Sequence, residues 1–187
     1  MSFVGQGRRY SGSDVTLRAR DQIRLRHIER QAEGYLELGM AEHALDALGR
    51  LGKAADLSPH SLYLRGEALR ELDRHDEALR PLRRAAKADP DNVHVWLALG
   101  WCHKRTARID LAVRALERAL EVEPSEALVH YNLACYLSLA GETDRALTHL
   151  SRAVTLDARY RLLAHDEPDF DPIRSDPGFQ ELTTVIV

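Results

Sequence analysis

The sequence predicts an all-α fold in which one helix–turn–helix unit is stacked about four times. Three observations predict it. The segments LYLRG at 62–66, WLALG at 96–100 and HYNLA at 130–134 recur at an offset of 34 residues. Ala78, Leu82 and Ala85 recur at the same offset as Ala112, Leu116 and Ala119, then as Ala146, Leu150 and Ala153. Within each segment the apolar residues fall at helical spacing, and with 44% hydrophobic and 29% charged residues the 187-residue chain can bury a core. A fixed period of this length marks units that cannot bury their apolar faces alone and must stack.

Residues 1–13 hold three Gly, three Ser and two adjacent Arg without periodicity, and read as a mobile arm. Ser13-Asp14 offers a helix start, and Val15, Ala19, Ile23, Ile28, Ala32 and Tyr35 carry a helical pattern on toward Gly39. Turns are expected near 73–76, 106–110 and 141–144, and unit boundaries at Pro90, Pro124 and Asp157. Ser58-Pro59 and Pro124-Ser125 supply N-cap chemistry for the helices that follow. Gly66, Gly100 and Ala134 on the first helices, with Ala78, Ala112 and Ala146 on the second, are small where a partner helix must come close. Gly49 and Gly52 are expected inside the second helix of the first unit, weakening it by about 1 kcal/mol each relative to Ala. Pro81 is expected inside the second helix of the second unit, kinking it unless it lies in the first turn. Residues 161–165 suit a short helix. Beyond them, Asp171-Pro172 and Asp176-Pro177 are two cap-then-proline starts, and Phe170, Ile173, Phe179 and Leu182 are expected to cover the open end of the last unit.

The repeat resembles the tetratricopeptide repeat (TPR) family. Units at 25–58, 59–92, 93–126 and 127–160 can be compared with the family pattern at positions 4, 7, 8, 11, 20, 24, 27 and 32. The second matches through Leu62, Gly66, Leu69, Ala78, Leu82, Ala85 and Pro90; the third through Trp96, Leu99, Gly100, Ala112, Leu116, Ala119 and Pro124. The outer units match less fully, as terminal repeats do. Gln31 and Arg65 replace an apolar residue at position 7, which allows a hinge between the first two units, and His103 replaces one at position 11. The tail DEPDFDPIRSDPGFQEL at 166–182 is similar to the acidic tails that close many bacterial TPR arrays. The resemblance implies a right-handed superhelical solenoid: an arm at 1–13, a repeat domain at 14–160 and a capping segment at 161–187.

Charge and motifs exclude most chemistry. The first 30 residues carry seven Arg against three acids, a charge of +4; since the whole chain is at −3, the other 157 residues carry −7. An acidic body argues against a general nucleic-acid binder. The basic start leaves three readings open: phosphate contact, an acidic protein partner, or a solvated face. No apolar run reaches the ~18 residues of a membrane span, so no membrane association and a cytoplasmic location are expected. Gly5, Gly7 and Gly12 do not complete a dinucleotide fingerprint, because Tyr10 stands where a third Gly is needed. Cys102 and Cys135 read as small buried hydrophobes, and His60 and His94, both at position 2, lack the further ligands of a zinc site. Neither a cofactor nor an enzymatic activity is expected.

In TPR proteins the first helices line a concave groove that takes peptides or helices. By that resemblance the groove residues here are His60, Tyr63, Glu67 and Arg70 in unit two, His94, Leu97, Trp101, Lys104 and Arg105 in unit three, and Tyr131 and Cys135 in unit four. Unit one offers Arg26, Glu29, Glu33, Leu36 and Glu37. Trp101, between Tyr63 and Tyr131, is the candidate anchor unless the arm or the tail covers it. The two-carboxylate clamp that holds chaperone tails is absent: Tyr63, Glu67, Ala98, Leu128 and Asn132 occupy its positions. The expected function is a scaffold or adaptor for a protein or peptide partner. The alternatives are a secretion or assembly chaperone and a self-assembling structural protein, the latter through the apolar end 185–187.

Overall fold

A computed structural model describes residues 19–52 and 58–184. The arm, the helix start at Ser13-Asp14 and the apolar end 185–187 lie outside the described residues. Ten α-helices and one 3₁₀ turn follow in order among them: α1 Ala19–Glu37, α2 Ala41–Gly49, α3 Pro59–Glu71, α4 His75–Ala88, α5 Val93–Arg105, α6 Ile109–Val122, α7 Ala127–Leu139, α8 Thr143–Leu156, α9 Arg159–Asp166, the 3₁₀ turn Pro168–Ile173 and α10 Pro177–Thr183. The second, third and fourth units each start a first helix at 59, 93 and 127 and a second at 75, 109 and 143, which is the 34-residue period.

The turn inside each unit has one construction. Gly39, Asp73, Ala107 and Gly141 all adopt positive φ, at 68°, 57°, 57° and 78°. The following amide reaches back five residues each time: Met40 to the Tyr35 carbonyl at 2.8 Å, then Arg74 to Leu69, Arg108 to His103 and Glu142 to Leu137, each at 2.9 Å. This is the Schellman closure of a helix end, and glycine suits its left-handed residue best. Asp73 and Ala107 hold that conformation with a Cβ, because the bonds on either side fix it.

Each first helix packs on the second helix of its own unit, and each second helix on the first helix of the next. Within a unit the approach is close. A Cβ built on Gly66 would lie 2.4 Å from Leu82, and one on Gly100 would lie 3.0 Å from Leu116. Leu82, Leu116 and Leu150 are fully buried at equivalent positions. Three clusters form the core. Leu45 and Tyr63 bridge the first to the second, and Trp96 bridges the second to the third, its indole N–H donating to the Pro90 carbonyl at 2.7 Å.

Several expectations need correction. α2 ends at Gly49, so Gly52 lies beyond it with φ at 56°; the two glycines shorten this helix instead of weakening its interior. Pro81 does lie inside α4, as expected, buried and well past the first turn. The Ser58 side chain caps α3 by accepting from the Ser61 amide at 3.2 Å, but α7 is capped by Glu126 and not by Pro124-Ser125. Asp176 caps α10, whereas Asp171 lies inside the 3₁₀ turn that Glu167 starts. Leu64 and Ala68 share one core cluster with Ala32, Ala41, Ala44 and Leu48, so the first two units are packed together despite Gln31 and Arg65.

Unit four carries a histidine pair. The Nε2 of His130 is 3.1 Å from the Pro124 carbonyl, an acceptor, so it bears the proton in neutral His130. His130 Nδ1 then accepts from His149 Nδ1–H at 2.9 Å. Burial, His130 and Arg145 hold the His149 pKa down, against Glu117, and burial with Arg83 and Arg108 does the same at His103, against Asp110.

Overpacking costs about 1–3 kcal/mol, and Gly66→Ala is expected to lose that much in urea denaturation. Gly100→Ala, with half an ångström more room, is expected within about 1 kcal/mol of wild type because Ala gains helix propensity. Ala107→Gly is expected to stabilise by about 1 kcal/mol on relief of left-handed strain. The two depressed histidines bind fewer protons folded than unfolded. Stability is therefore complete above the ordinary pKa of 6.5 and falls as pH drops below it. Denaturation midpoints measured across this range, with His149→Gln flattening the decline, check it.

Candidate functional site

Side chains three, four and seven residues apart share one face of a helix. On α3 this aligns His60, Tyr63, Glu67 and Arg70; on α5 it aligns His94, Leu97, Trp101 and Lys104. The first helices pack side by side, α1 on α3 and α3 on α5, which joins these faces. Tyr63, Glu67, Arg70, His94, Leu97 and Trp101 surround one shallow cavity of about 220 Å³, floored by Ala98. A second, of about 360 Å³, lies between α1 and α3, lined by Glu33, Leu36, Glu37, His60, Leu64 and Glu71 and sharing Tyr63 and Glu67 with the first. The two make a continuous depression across three first helices.

Its polar groups are largely engaged with one another. Arg70 donates twice to Glu67, Nε to Oε1 and Nη2 to Oε2, both at 3.0 Å, and this pairing raises its pKa. His60 Nε2 lies 2.7 Å from Glu33 Oε1, and its ring stacks on Tyr63 with centroids 6.3 Å apart. The imidazole thus has a carboxylate neighbour that its sequence position did not reveal, but among the described residues no three potential ligands gather around a metal. Burial pushes the Tyr63 hydroxyl up to about 12, with Glu67 adding and Arg70 opposing. Trp101 keeps 39% of its surface exposed, with Lys104 Nζ 5.7 Å from the ring centroid.

Five expected groove residues are placed differently. Tyr131 and Cys135 are buried, because the 3₁₀ turn lies against α7. Phe170 meets Tyr131 edge-on at 5.8 Å and packs on Phe179, while Tyr160 flanks Tyr131 at 4.7 Å. Lys104 is ion-paired with Asp169 of the same turn. Arg105, one residue further around α5, donates to His75 Nε2 at 3.3 Å. Glu29, a groove position by its place in unit one, is buried and accepts from the Ser58 and Ser61 hydroxyls at 2.5 and 2.6 Å, tying α1 to the start of α3. Sequence gave no signal for Asp169 beside Lys104, since 65 residues separate them.

The thiols offer no chemistry to this site. Burial pushes Cys102 up to about 12, and burial with Asp169 and Glu167 nearby raises Cys135 far above its ordinary value. Among the described residues no helix is long and apolar enough to cross a membrane.

Comparison with known proteins agrees with this architecture. Residues 29–93 and 69–134 each match a family model described as tetratricopeptide repeat. No curated protein matches the sequence. Among solved structures, the chain is similar to MamA residues 41-end from Desulfovibrio magneticus RS-1, at 20% identity over 89% of this chain and 95% of that one, with a TM-score of 0.68. It is similar to YrrB, described as a TPR protein with an unusual peptide-binding site, at 17% identity over 83% and 79%, also at 0.68. A MamA MSR-1 structure aligns at 26% identity over 71% and 76%, with a TM-score of 0.62. These likenesses show the fold.

Both cysteines are expected to resist a thiol reagent in the folded protein and to react fully in denaturant, because only thiolates attack. Rapid native modification of either would contradict their burial.

Proposed function

The chain belongs to the tetratricopeptide repeat family, and on that premise we propose that it is a non-enzymatic, cytoplasmic scaffold that binds a peptide or helix across α1, α3 and α5. TPR proteins are in general protein-interaction modules, and YrrB's printed description as peptide-binding agrees with this reading. The observation that carries it is the continuous depression with Trp101 half-exposed at one end and Tyr63 at its centre. A rigid aromatic residue in a shallow cavity is the usual anchor of a protein interface. In this reading Tyr131 and Cys135 drop out of the groove, and the binding face is Tyr63, Glu67, Arg70, His94, Leu97 and Trp101, extended by His60 and Glu33. On the same reading the chain divides into an arm at 1–13, repeats at 14–160 and a capping segment at 161–187; the burial of Phe170, Ile173 and Phe179 in the core of unit four supports it.

One observation favours a second reading. Leu162 and Leu163 on α9 are 62% and 54% exposed, a pair of large apolar side chains that a second copy would cover in a self-assembling protein. Light scattering over a concentration series separates a monomer from such an assembly.

Affinity capture from native lysate, with wild type beside Trp101→Ala, tests the leading reading. A good aromatic anchor contributes about 2 kcal/mol, roughly thirtyfold in affinity. A protein held by wild type and lost with Trp101→Ala is the expected result. Partners held equally by both would move binding away from this face.

A further inference from the structure

We infer that the groove's occupant is an extended basic peptide from a partner protein, carrying arginine or lysine beside an apolar residue; this rests on the groove reading above. The two linked cavities are lined by four carboxylates, Glu33, Glu37, Glu67 and Glu71, and by one guanidinium, Arg70, a net charge of −3 with histidine neutral. The cations expected at the far end do not offset it. Lys104 is neutralised by Asp169, and Arg105 is turned to His75. Glu33 and Glu67 are engaged by His60 and Arg70, whereas Glu37 and Glu71 are exposed and make no hydrogen bond or ion pair among the described residues.

The helix ends point the same way. Glu37 is the last residue of α1 and Glu71 the last of α3. A helix C-terminus carries partial negative charge, so a carboxylate there works against the helix that bears it. Helix stability therefore does not account for these two side chains, and their charge adds to that of two carbonyl ends to build one negative potential. The equivalent residues of α5 and α7 are Arg105 and Leu139, which confines the acidic ends to the part of the groove between α1 and α3. A guanidinium or ammonium entering there finds the Glu37 and Glu71 carboxylates together with the Tyr63 ring, while Trp101, whose ring already lies beside Lys104 Nζ, takes the apolar residue. An acidic peptide would bring like charge against Glu37 and Glu71, the arrangement by which interfaces reject wrong partners.

The test is selection of a random-peptide library on the immobilised full chain, followed by titration of the selected peptides into wild type, the Glu37→Gln/Glu71→Gln double variant and Trp101→Ala. The glutamine variants remove charge at helix C-termini, so their folds are retained, which circular dichroism checks. The expected result is enrichment of Arg- or Lys-bearing peptides whose affinity drops about tenfold in the double variant at low salt, and less at high salt. Enriched acidic or uncharged peptides that lose affinity with Trp101→Ala would leave the groove reading standing and overturn the basic one. Peptides that bind all three proteins alike, or no enrichment over a bare surface, would overturn both.

Discussion

The structure depends on one repeated contact: a small residue of the first helix against a buried leucine of the second. Gly66 meets Leu82, Gly100 meets Leu116, and Ala134 occupies the equivalent place opposite Leu150. The absence of a side chain lets the two helices of a unit come together, and the leucine fills the space left. Because the contact recurs every 34 residues, the helices of each unit are set in the same way, and the first helices line up as one surface. The Schellman turns serve the same end. Their paired bonds close each first helix at the same residue, even where Asp73 and Ala107 must take a conformation that glycine adopts without strain.

That surface ends sooner than the repeats do. Unit four presents Tyr131 and Cys135 at groove positions, but Phe170 packs on Tyr131 and Asp169 binds Lys104. The 3₁₀ turn thus takes up the last first helix as core. What remains open is the stretch from α1 to α5, and its chemistry is aromatic at the centre and anionic toward α1. Engaged pairs such as Arg70 with Glu67, both partly buried, hold side chains in place. Their value to the site is positional: they fix Glu67 beside Tyr63.

The histidines show how far the environment governs identical side chains. His60, half-buried beside Glu33, sits in the groove. His130 and His149 hydrogen-bond to each other at the opposite helix pair, and His103 fills an apolar core position. His149 and His103, whose pKa values burial holds down, link folding to proton uptake, whereas His60 is held between Glu33 and the Tyr63 ring.

The sequence by itself determined the period, the helix pair in each unit and the small-against-large contact, because these depend on residues within one 34-residue window. The resemblance to the tetratricopeptide repeat pattern also marked Tyr63, Glu67, Arg70, His94, Leu97 and Trp101 as groove residues, and helical spacing is consistent with one face on each helix. The end of α2 is not legible in the period, because this helix stops at Gly49 after nine residues where its counterparts run for 14. Only the tertiary structure decided which groove residues stay open. Lys104 and Asp169 lie 65 residues apart, and Glu29 finds Ser58 and Ser61 about 30 residues on. Such pairings arise when distant segments fold onto one surface, and no local spacing records where a tail will come to rest.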